Sequence, residues 1–374
     1  MSGKRTRFEL VSYAEAWKNL RGEWQKLFES CDRPCVFYHP VFLSAAAALP
    51  PGEQPSHLII GRNDEELVFG LPVQIKSYGL LVREVNFYTL QTQGFDHLAP
   101  LDTTLKREAS RDFLNHFHEY WGLNVLRGQG VDSEIRDLFE SGRSKKLKTF
   151  SRRTFRCPYL NLPDSEKELQ GSISRKLRSH LKRMTARAKA SSIEFRHVIR
   201  DVSGYTYQDA LDNLFALHGD RFSSLAKDSK FLTVTSRVFH TRLCQEAGSG
   251  NTIHFFEAVH GDRVIASLYG YLDRSRFYFY QSGFDPKYSD YSVGALLIYQ
   301  CKLYLIRRGT KVFDYLRGTE QYKLKWTETT ADDYLILVSA SLAGHLAANW
   351  IRLKRAMKRD GKKVGTWYWL RNKD

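Results

Sequence analysis

The segment Ser292 to Ala295 has the residue types of a helix start that can bind an anion. Ser292 suits the N-cap position, and Gly294 lies within the first turn, where a missing side chain lets a ligand approach the backbone. Free amides at a helix start, with the positive end of the helix dipole behind them, attract phosphate. The amides of Ser292, Val293, Gly294 and Ala295 therefore predict a phosphate or pyrophosphate site. Helix capping alone is an alternative explanation of the serine.

Acid–base chemistry is suggested by the residues that follow. Asp314 lies inside an apolar strand-like run, where burial would raise its pKa towards the range of a general base. Its structural alternative is an ion pair with Arg317 or the capping of a turn. Glu320 is the competing base, on a predicted exposed turn. Lys323, preceded by Tyr322, offers a positive charge to an oxyanion or phosphate, with a solvated surface lysine as the alternative.

A second group of side chains is placed to contact an acceptor or to line a cleft. Tyr280 and Gln281 end the strand-like run before the helix, although Tyr280 is equally explained as a core aromatic residue. His218 and Arg221 could bind an acidic acceptor, but a single histidine at a helix end is more often structural. Arg317 is a further candidate for binding the substrate.

The elements that must position these residues form one local unit. An aromatic strand is predicted at 276–282, a turn-rich loop at 283–290, a helix from Val293 to Arg308 that stops at Gly309, and a second strand at 311–316. A strand–helix–strand unit of this kind favours a right-handed crossover between parallel strands. The helix start would then lie at the end of the sheet.

The rest of the chain alternates helices and strands in a similar order. Further helices are predicted at 12–30, 40–49, 106–121, 172–190, 207–217, 235–246 and after 339. Further strands are predicted at 57–61, 66–75, 84–90, 122–126, 252–260, 264–272 and 334–339. Residues 157–163 lie between two prolines and are predicted to be an extended connector. We therefore expect domains at 1–157 and 158–374, which suits a chain of 374 residues.

The charge of the chain favours a polyanionic partner. The formal net charge is +16 and the isoelectric point is about 9.5. Cations cluster at 143–156, 175–189 and 352–363. Nucleic acid, an anionic membrane face and a phosphate-bearing ligand are all suitable partners, and solvated surfaces are the simpler alternative.

Other composition features narrow the classes of protein. Five widely spaced cysteines and no signal peptide predict cytosolic thiols in a cytoplasmic protein, and the spacing predicts no metal site. No apolar run of about 20 residues is present. The segment 334–350 and its basic tail allow peripheral contact with the inner membrane face, against the alternative of a packed terminal helix. The sequence indicates no oligomeric state.

Several motifs together resemble a known superfamily. They are SRKLRSHLKRM (174–184), LFALHGDRF (214–222), IASLYGY (265–271), FYFYQSGFDPKYSDYSVGALLIY (277–299), RRGTKVFDYLRGTEQYKLKW (307–326), FYHPVFLSA (37–45) and QGFDHLAPL (93–101). In order and spacing they resemble the cellulose-biosynthesis CelD/BcsL-like branch of the GNAT acyltransferases and, more distantly, the Fem-type transferases. The resemblance implies an α/β (α+β) fold of two tandem GNAT-like domains, each a mixed, mostly antiparallel twisted sheet flanked by helices.

The resemblance also implies a donor and a reaction. Acetyl-CoA or another acyl-CoA would place its pyrophosphate at Ser292 to Ala295 and its pantetheine arm between two splayed strands, beside Gln281. The expected activity is acyl transfer to an amine or hydroxyl of a small molecule or glycan, such as a sugar or polysaccharide precursor. Lys323 matches a lysine that is functional in the Fem-like relatives. Two alternatives stay open: a Fem-like transferase that uses aminoacyl-tRNA, and a non-catalytic scaffold of the same fold.

Overall fold

The structure is a computed structural model. The structure describes residues 6–31, 36–78, 82–87, 113, 125–130, 148–198, 204–224, 229–247 and 252–339, together with 342, 344–346, 348–350 and 353. The predicted loop at 93–101 lies outside these residues, as does the predicted helix at 106–121 apart from residue 113.

The described strands form one twelve-stranded sheet in the order β1-β2-β3-β4-β5-β12-β6-β11-β10-β9-β8-β7. Their bounds are β1 Arg7–Ser12, β2 His57–Asn63, β3 Glu66–Tyr78, β4 Val82–Phe87, β5 Val125–Gly130, β6 Lys148–Asn161, β7 Ile193–Val198, β8 Ile253–His260, β9 Arg263–Asp273, β10 Arg276–Phe284, β11 Val312–Asp314 and β12 Thr330–Ser339. Only β4–β5 and β10–β11 pair in parallel among these strands. The mixed, mostly antiparallel character expected from the sequence is confirmed.

The helices lie on both faces of this sheet. Their bounds are α1 Tyr13–Glu29, α2 Pro40–Ala46, α3 Glu166–Ser172, α4 Arg175–Ala190, α5 Tyr207–Ser224, α6 Val234–Glu246, α7 Val293–Arg307 and α8 Gln321–Leu324. Short 3-10 turns occupy Val36–Tyr38, Lys230–Leu232 and Pro286–Tyr291. The helix predicted at 172–190 is α4, which begins at Arg175 because Ile173 is extended and Ser174 caps α4 by accepting a hydrogen bond from the Leu177 amide. The short helix α3 before it was not predicted.

A long strand, β6, joins the two parts of the sheet. It pairs with β12 from Lys148 to Pro158 and with β11 from Tyr159 to Asn161. The predicted connector is therefore extended as expected, but over Cys157–Asn161 it is the paired end of a strand rather than a separate linker. Strand β12, late in the chain, lies between β5 and β6.

Two apolar cores fix the positions of the helices that flank the site. One core joins α4 and α7 to one face of β8, β9 and β10 and includes Leu181, Leu296 and Phe277. The other core packs α5 and α6 on the opposite face, with aromatic residues from the N-terminal half. Burial of such side chains is the main stabilising contribution to the fold.

Within the described ranges, no helix is long and apolar enough to cross a membrane. The same ranges contain no cluster of three or more His, Cys, Asp or Glu side chains suited to a metal ion. The four described cysteines, Cys31, Cys157, Cys244 and Cys301, are buried free thiols.

Candidate functional site

The central feature of the site is the place where β10 and β11 separate. Their parallel pairing joins Arg276–Tyr278 to Val312–Asp314 and no further residues. Strand β10 continues to Phe284, whereas the chain after β11 turns away and adopts a positive φ of 59° at Leu316. We call the space between residues 279–284 and the chain after Asp314 the splayed cleft. Among the described residues, β10 has no strand partner on this side beyond Tyr278.

A bulge in β10 marks the same level of the sheet. The register with β9 shifts between Phe279 and Gln281, so Tyr280 is the extra residue. Tyr280 is buried, and its ring centroid lies 5.1 Å from those of His240 and Tyr271. The structure therefore places Tyr280 in the aromatic core. The Gln281 side-chain oxygen accepts a hydrogen bond from the Ser282 amide at 3.1 Å.

The start of α7 offers two amides rather than the predicted four. The Ser292 amide donates to the Ser289 carbonyl, and the Ala295 amide donates to the Ser292 carbonyl, both at 2.9 Å. The amides of Val293 and Gly294 form no hydrogen bond with the residues that the structure describes. The expectation of free amides is thus wrong for Ser292 and Ala295, because a turn and the first helical bond use them.

Backbone geometry at this helix start is unusual. Ser292 occupies the left-handed region with φ of 52° and ψ of 38°, and its hydroxyl caps no helix amide. Ser292 is therefore the N-cap residue, as predicted, but its side chain does not cap the helix. At Gly294 an added Cβ would lie 3.6 Å from the Phe284 ring, which is an ordinary contact. Packing within the protein therefore does not require glycine at position 294.

Helix α4 contacts the start of α7 and the loop before it. The His180 Nε2 atom lies 3.0 Å from the Ser292 Oγ atom. Arg187 donates to the Asp290 carbonyl at 3.2 Å, and its guanidinium lies 4.8 Å from the centroid of the Tyr291 ring. One of the cation clusters seen in the sequence therefore lies beside the unpaired amides of α7.

The electrostatic surroundings of His180 are positive. Burial lowers the pKa of His180, and the nearby charges of Arg183 and Lys325 lower it further. Sequence reasoning treated Arg183 only as part of a charge cluster and did not select His180 or Lys325. His180, Arg183 and Arg187 are spaced by three and four residues, which places them on one helix face. This spacing in the sequence could have selected His180 together with the two arginines.

Asp314 is largely buried, as predicted, and its carboxylate caps the turn that follows β11, which was one of the two structural alternatives. Its Oδ2 atom accepts a hydrogen bond from Arg276 Nη1 at 2.9 Å, and its Oδ1 atom accepts one from the Leu316 amide at 2.8 Å. Burial raises the pKa of Asp314, and the Arg276 charge opposes this effect. The suggested ion pair with Arg317 is wrong, because Arg317 lies 2.9 Å from the carboxylate of Asp333.

The 320–323 segment lies beside the splayed cleft. The Glu320 side chain is 55% exposed, at the start of α8. The Tyr322 ring contacts that of Phe279, with centroids 6.3 Å apart. Lys323 is buried, and its Nζ donates to the Arg317 carbonyl at 2.6 Å and lies 2.9 Å from a Glu320 oxygen. The alternative of a solvated Lys323 is therefore wrong.

His218 lies where α5 packs on β10. Its Nδ1 atom lies 3.2 Å from the Ser282 carbonyl oxygen, and its Nε2 atom lies 2.8 Å from the Ser229 hydroxyl. The imidazole is buried, so the structure places it between elements rather than on an open surface. Arg221 belongs to α5, but its side chain lies outside the described residues.

Comparison with protein families identifies the region that carries this site. Residues 175–324 match the family model described as an acetyltransferase (GNAT) domain. The match begins at α4 and ends at α8, so it includes the splayed cleft, the start of α7 and the 320–323 segment. This part of the chain is therefore similar in sequence to GNAT-type acetyltransferase domains. A comparison with curated proteins finds no match.

Solved structures share the fold at low sequence identity. The structure titled FemX has a TM-score of 0.59 at 8% identity, over 84% of this chain and 95% of that one. The C-terminal domain (DUF2156) of a protein assigned as a lysylphosphatidylglycerol synthetase from Agrobacterium fabrum has a TM-score of 0.54 at 10% identity, over 90% and 96%. A conserved protein of unknown function from Bacteroides thetaiotaomicron VPI-5482 has a TM-score of 0.53 at 13% identity, over 90% and 100%. The similarity establishes a shared mixed α/β fold.

Proposed function

We propose that this protein is an acyltransferase that takes an acyl group, in the simplest case acetyl, from acyl-CoA and transfers it to an amine or hydroxyl. The observation that carries the proposal is the separation of β10 and β11 beside the unpaired amides of Val293 and Gly294. A space between two strands that stop pairing, leading to a helix start, suits a long donor with a diphosphate at one end.

The residues present fit such a donor. The two amides and the dipole of α7 favour a diphosphate, and α4 adds the side chains of His180, Arg183 and Arg187 on the same side. The absence of any packing reason for Gly294 supports a close approach by a ligand. Bound CoA would supply the activated thioester, and the protein would position it.

We assign the general base to Glu320 in preference to Asp314. Both carboxylate oxygens of Asp314 already accept hydrogen bonds, whereas the carboxylate of Glu320 is more than half exposed beside the cleft. Glu320 would accept a proton from the attacking amine or hydroxyl, and Lys323 and the Arg317 carbonyl would hold its segment in place. Tyr322, whose ring contacts that of Phe279, would contact the reacting groups.

The acceptor and the branch of the superfamily follow from the sequence resemblance. We propose a sugar or polysaccharide precursor as acceptor, in keeping with the CelD/BcsL-like motifs at 277–299 and 307–326. Asp314, paired with Arg276, would then shape the end of β11 instead of carrying the proton.

The donor is tested by isothermal titration of CoA into the wild-type protein and the variant Gly294→Asp. Aspartate is favourable at a helix start, so the fold is retained, but its charge opposes a diphosphate. We expect CoA affinity to fall about tenfold or more. The matched control is Gly22→Asp, since Gly22 lies in α1 with open space around it. Equal affinity of Gly294→Asp and wild type would remove α7 from the donor site.

The base is tested by comparing Glu320→Gln with Asp314→Asn in an acyl-transfer assay that detects free thiol. Loss of general base catalysis lowers kcat by about 100-fold or more. We expect this loss in Glu320→Gln with little change in thermal stability. A full loss in Asp314→Asn, with Glu320→Gln active, would reverse the assignment.

A second candidate is a Fem-like transfer from aminoacyl-tRNA, which is favoured by the seven cations at 175–189 and by the fold shared with FemX. Binding of labelled tRNA, measured by fluorescence anisotropy over a series of salt concentrations, distinguishes the two. A tRNA donor predicts tight binding that weakens steeply with salt and no heat from CoA. The acyl-CoA proposal predicts weak binding of tRNA and measurable heat on titration with CoA.

A further inference from the structure

The segment after β12 carries an exposed apolar stripe. Residues 342, 344–346, 348–350 and 353 are helical. Leu342, Leu346, Trp350 and Leu353 are 76%, 65%, 59% and 53% exposed. Their spacing of four, four and three residues places them on one face of the helix, and we call this set the apolar stripe. Contiguous exposed apolar surface of this kind marks an interaction site more often than scattered residues do.

The opposite face holds the helix against the protein. Gly344 and Ala348, one turn apart, are buried. The Ser339 hydroxyl at the end of β12 lies 2.7 Å from Nδ1 of His345. Because the small residues and the hydrogen bond face inward, the apolar stripe points away from the rest of the described chain. One side of the helix is therefore packed, as one alternative expected, and its exposed side carries the apolar stripe.

The sequence around the stripe indicates the chemistry of its partner. Seven cations and one acid lie between 352 and 363, namely Arg352, Lys354, Arg355, Lys358, Arg359, Lys362 and Lys363 with Asp360. Trp367, Tyr368 and Trp369 follow closely. Apolar residues on one helix face with Lys and Arg nearby are typical of helices that lie in a membrane interface, where Trp and Tyr are also enriched.

We propose that the apolar stripe docks this protein on the surface of an anionic lipid bilayer. Leu342, Leu346, Trp350 and Leu353 enter the boundary between headgroups and acyl chains, and the following cations neutralise lipid phosphates. A second copy of the chain is a less suitable occupant, because it would bring two proteins of net charge +16 together. The proposal is independent of the reaction at the splayed cleft.

The test is cosedimentation of the full chain with vesicles of phosphatidylglycerol mixed with phosphatidylcholine, and with vesicles of phosphatidylcholine alone. The stripe variant is Leu346→Ser combined with Trp350→Ser. The matched control is Val234→Ser combined with Val238→Ser, which removes exposed apolar residues (79% and 40%) at the same spacing on α6. All four positions are exposed, and equal thermal unfolding of the variants shows that the fold is kept.

We expect binding to the phosphatidylglycerol vesicles that weakens about tenfold or more in the stripe variant and stays unchanged in the control. Binding should also weaken with added salt and on phosphatidylcholine alone. Equal binding of the stripe variant and wild type overturns the proposal. Equal binding to vesicles with and without phosphatidylglycerol overturns it as well. Sedimentation velocity tests whether a second copy of the chain occupies the stripe. If the wild type is a dimer, the stripe variant is a monomer and neither binds vesicles, the stripe is a dimer interface instead.

Discussion

The Nε2 atom of His180 lies 3.0 Å from the Ser292 hydroxyl oxygen and so connects the basic helix α4 to the start of α7. The two residues are 112 positions apart in the chain. Their contact places a titratable group next to the proposed diphosphate site.

Substitution of His180 by Asn should reduce the affinity for CoA about fivefold, because it removes one polar contact at the helix start. Burial and the charges of Arg183 and Lys325 hold the pKa of His180 below its ordinary value of 6.5 in the free protein. A bound diphosphate would stabilise the imidazolium and raise that pKa. Wild-type affinity should therefore increase as the pH is lowered and the imidazole becomes protonated, and the variant should lack this increase.

Isothermal titration with dephospho-CoA measures this effect without the 3′-phosphate, which itself titrates in the same range. His57→Asn is the control, since burial also lowers the pKa of His57 but β2 lies in the N-terminal half. The same pH dependence in wild type and His180→Asn would show that His180 does not face the ligand.

Replacement of Arg276 by Met should destabilise the fold by about 2 kcal/mol at neutral pH, because it leaves the largely buried Asp314 carboxylate without its cation. This value is below that of a fully buried pair, since the Arg276 side chain is 40% exposed. The pKa of Asp314 is already raised by burial and should rise further in the variant. A carboxyl whose pKa is raised in the folded state loses stability as the pH rises through that pKa, so the deficit should shrink in acid.

Urea unfolding of Arg276→Met at neutral and acidic pH checks both statements. The double variant with Asp314→Asn is the control and should recover most of the lost stability, because no unpaired charge remains. A deficit of the same size at every pH would mean that Asp314 is not its cause.

Lys323→Met should lower the free energy of unfolding by about 1–3 kcal/mol. The change removes the charged donor to the Arg317 carbonyl and the partner of Glu320, within a turn where Lys323 is buried. Lys230→Met, at an exposed position, should change stability by less than about 0.5 kcal/mol. Chemical denaturation of both variants tests the difference, and equal effects would contradict the buried role of Lys323.

Lys302 is fully buried in α7, where its Nζ atom contacts the Tyr315 hydroxyl and lies 3.4 Å from the centroid of the Trp326 ring. Burial lowers the pKa of Lys302 well below 10.5. The unfolded chain therefore binds a proton that the folded chain releases, so this lysine makes stability rise with pH up to about 10.5.

The double variant Lys302→Met with Tyr315→Phe should remove this dependence without leaving an unpaired hydroxyl. Relative to wild type it should become more stable as the pH falls, by at most about 1.4 kcal/mol per pH unit. Thermal and urea unfolding between neutral and alkaline pH measure the difference, with Tyr315→Phe alone as control. Parallel stability curves for the double variant and wild type would show that Lys302 stays protonated.

Gly283 allows α5 to approach β10 closely. An added Cβ would lie 2.7 Å from the His218 backbone nitrogen and 2.9 Å from the Leu217 carbonyl carbon. Because both are backbone atoms, Gly283→Ala should cost about 1–3 kcal/mol. Gly22→Ala, in open space on α1, should instead stabilise by up to about 1 kcal/mol. The unfolding midpoint should fall in Gly283→Ala and rise in Gly22→Ala, each relative to wild type. An unchanged midpoint for Gly283→Ala would show that α5 can move away from β10.

The amino-acid sequence alone determined the local unit of the site. Aromatic β10, helix α7 and strand β11 were predicted close to their observed bounds, and their parallel arrangement was predicted as well. Such elements depend on period, capping residues and turn residues that are neighbours in the chain. The motifs along the chain, taken together in order and spacing, likewise indicated a GNAT-type domain, which agrees with the family match over 175–324.

Only the tertiary structure decided which distant groups meet. Strand register decides that Asp314 pairs with Arg276 and not with Arg317. The packing of the chain also decides that Lys323 is buried and that His180 of α4 contacts Ser292. The place of β12 between β5 and β6 likewise joins strands that are far apart in the chain. Local sequence patterns contain no information on these pairings, because they are selected by the burial and hydrogen bonding of the whole sheet.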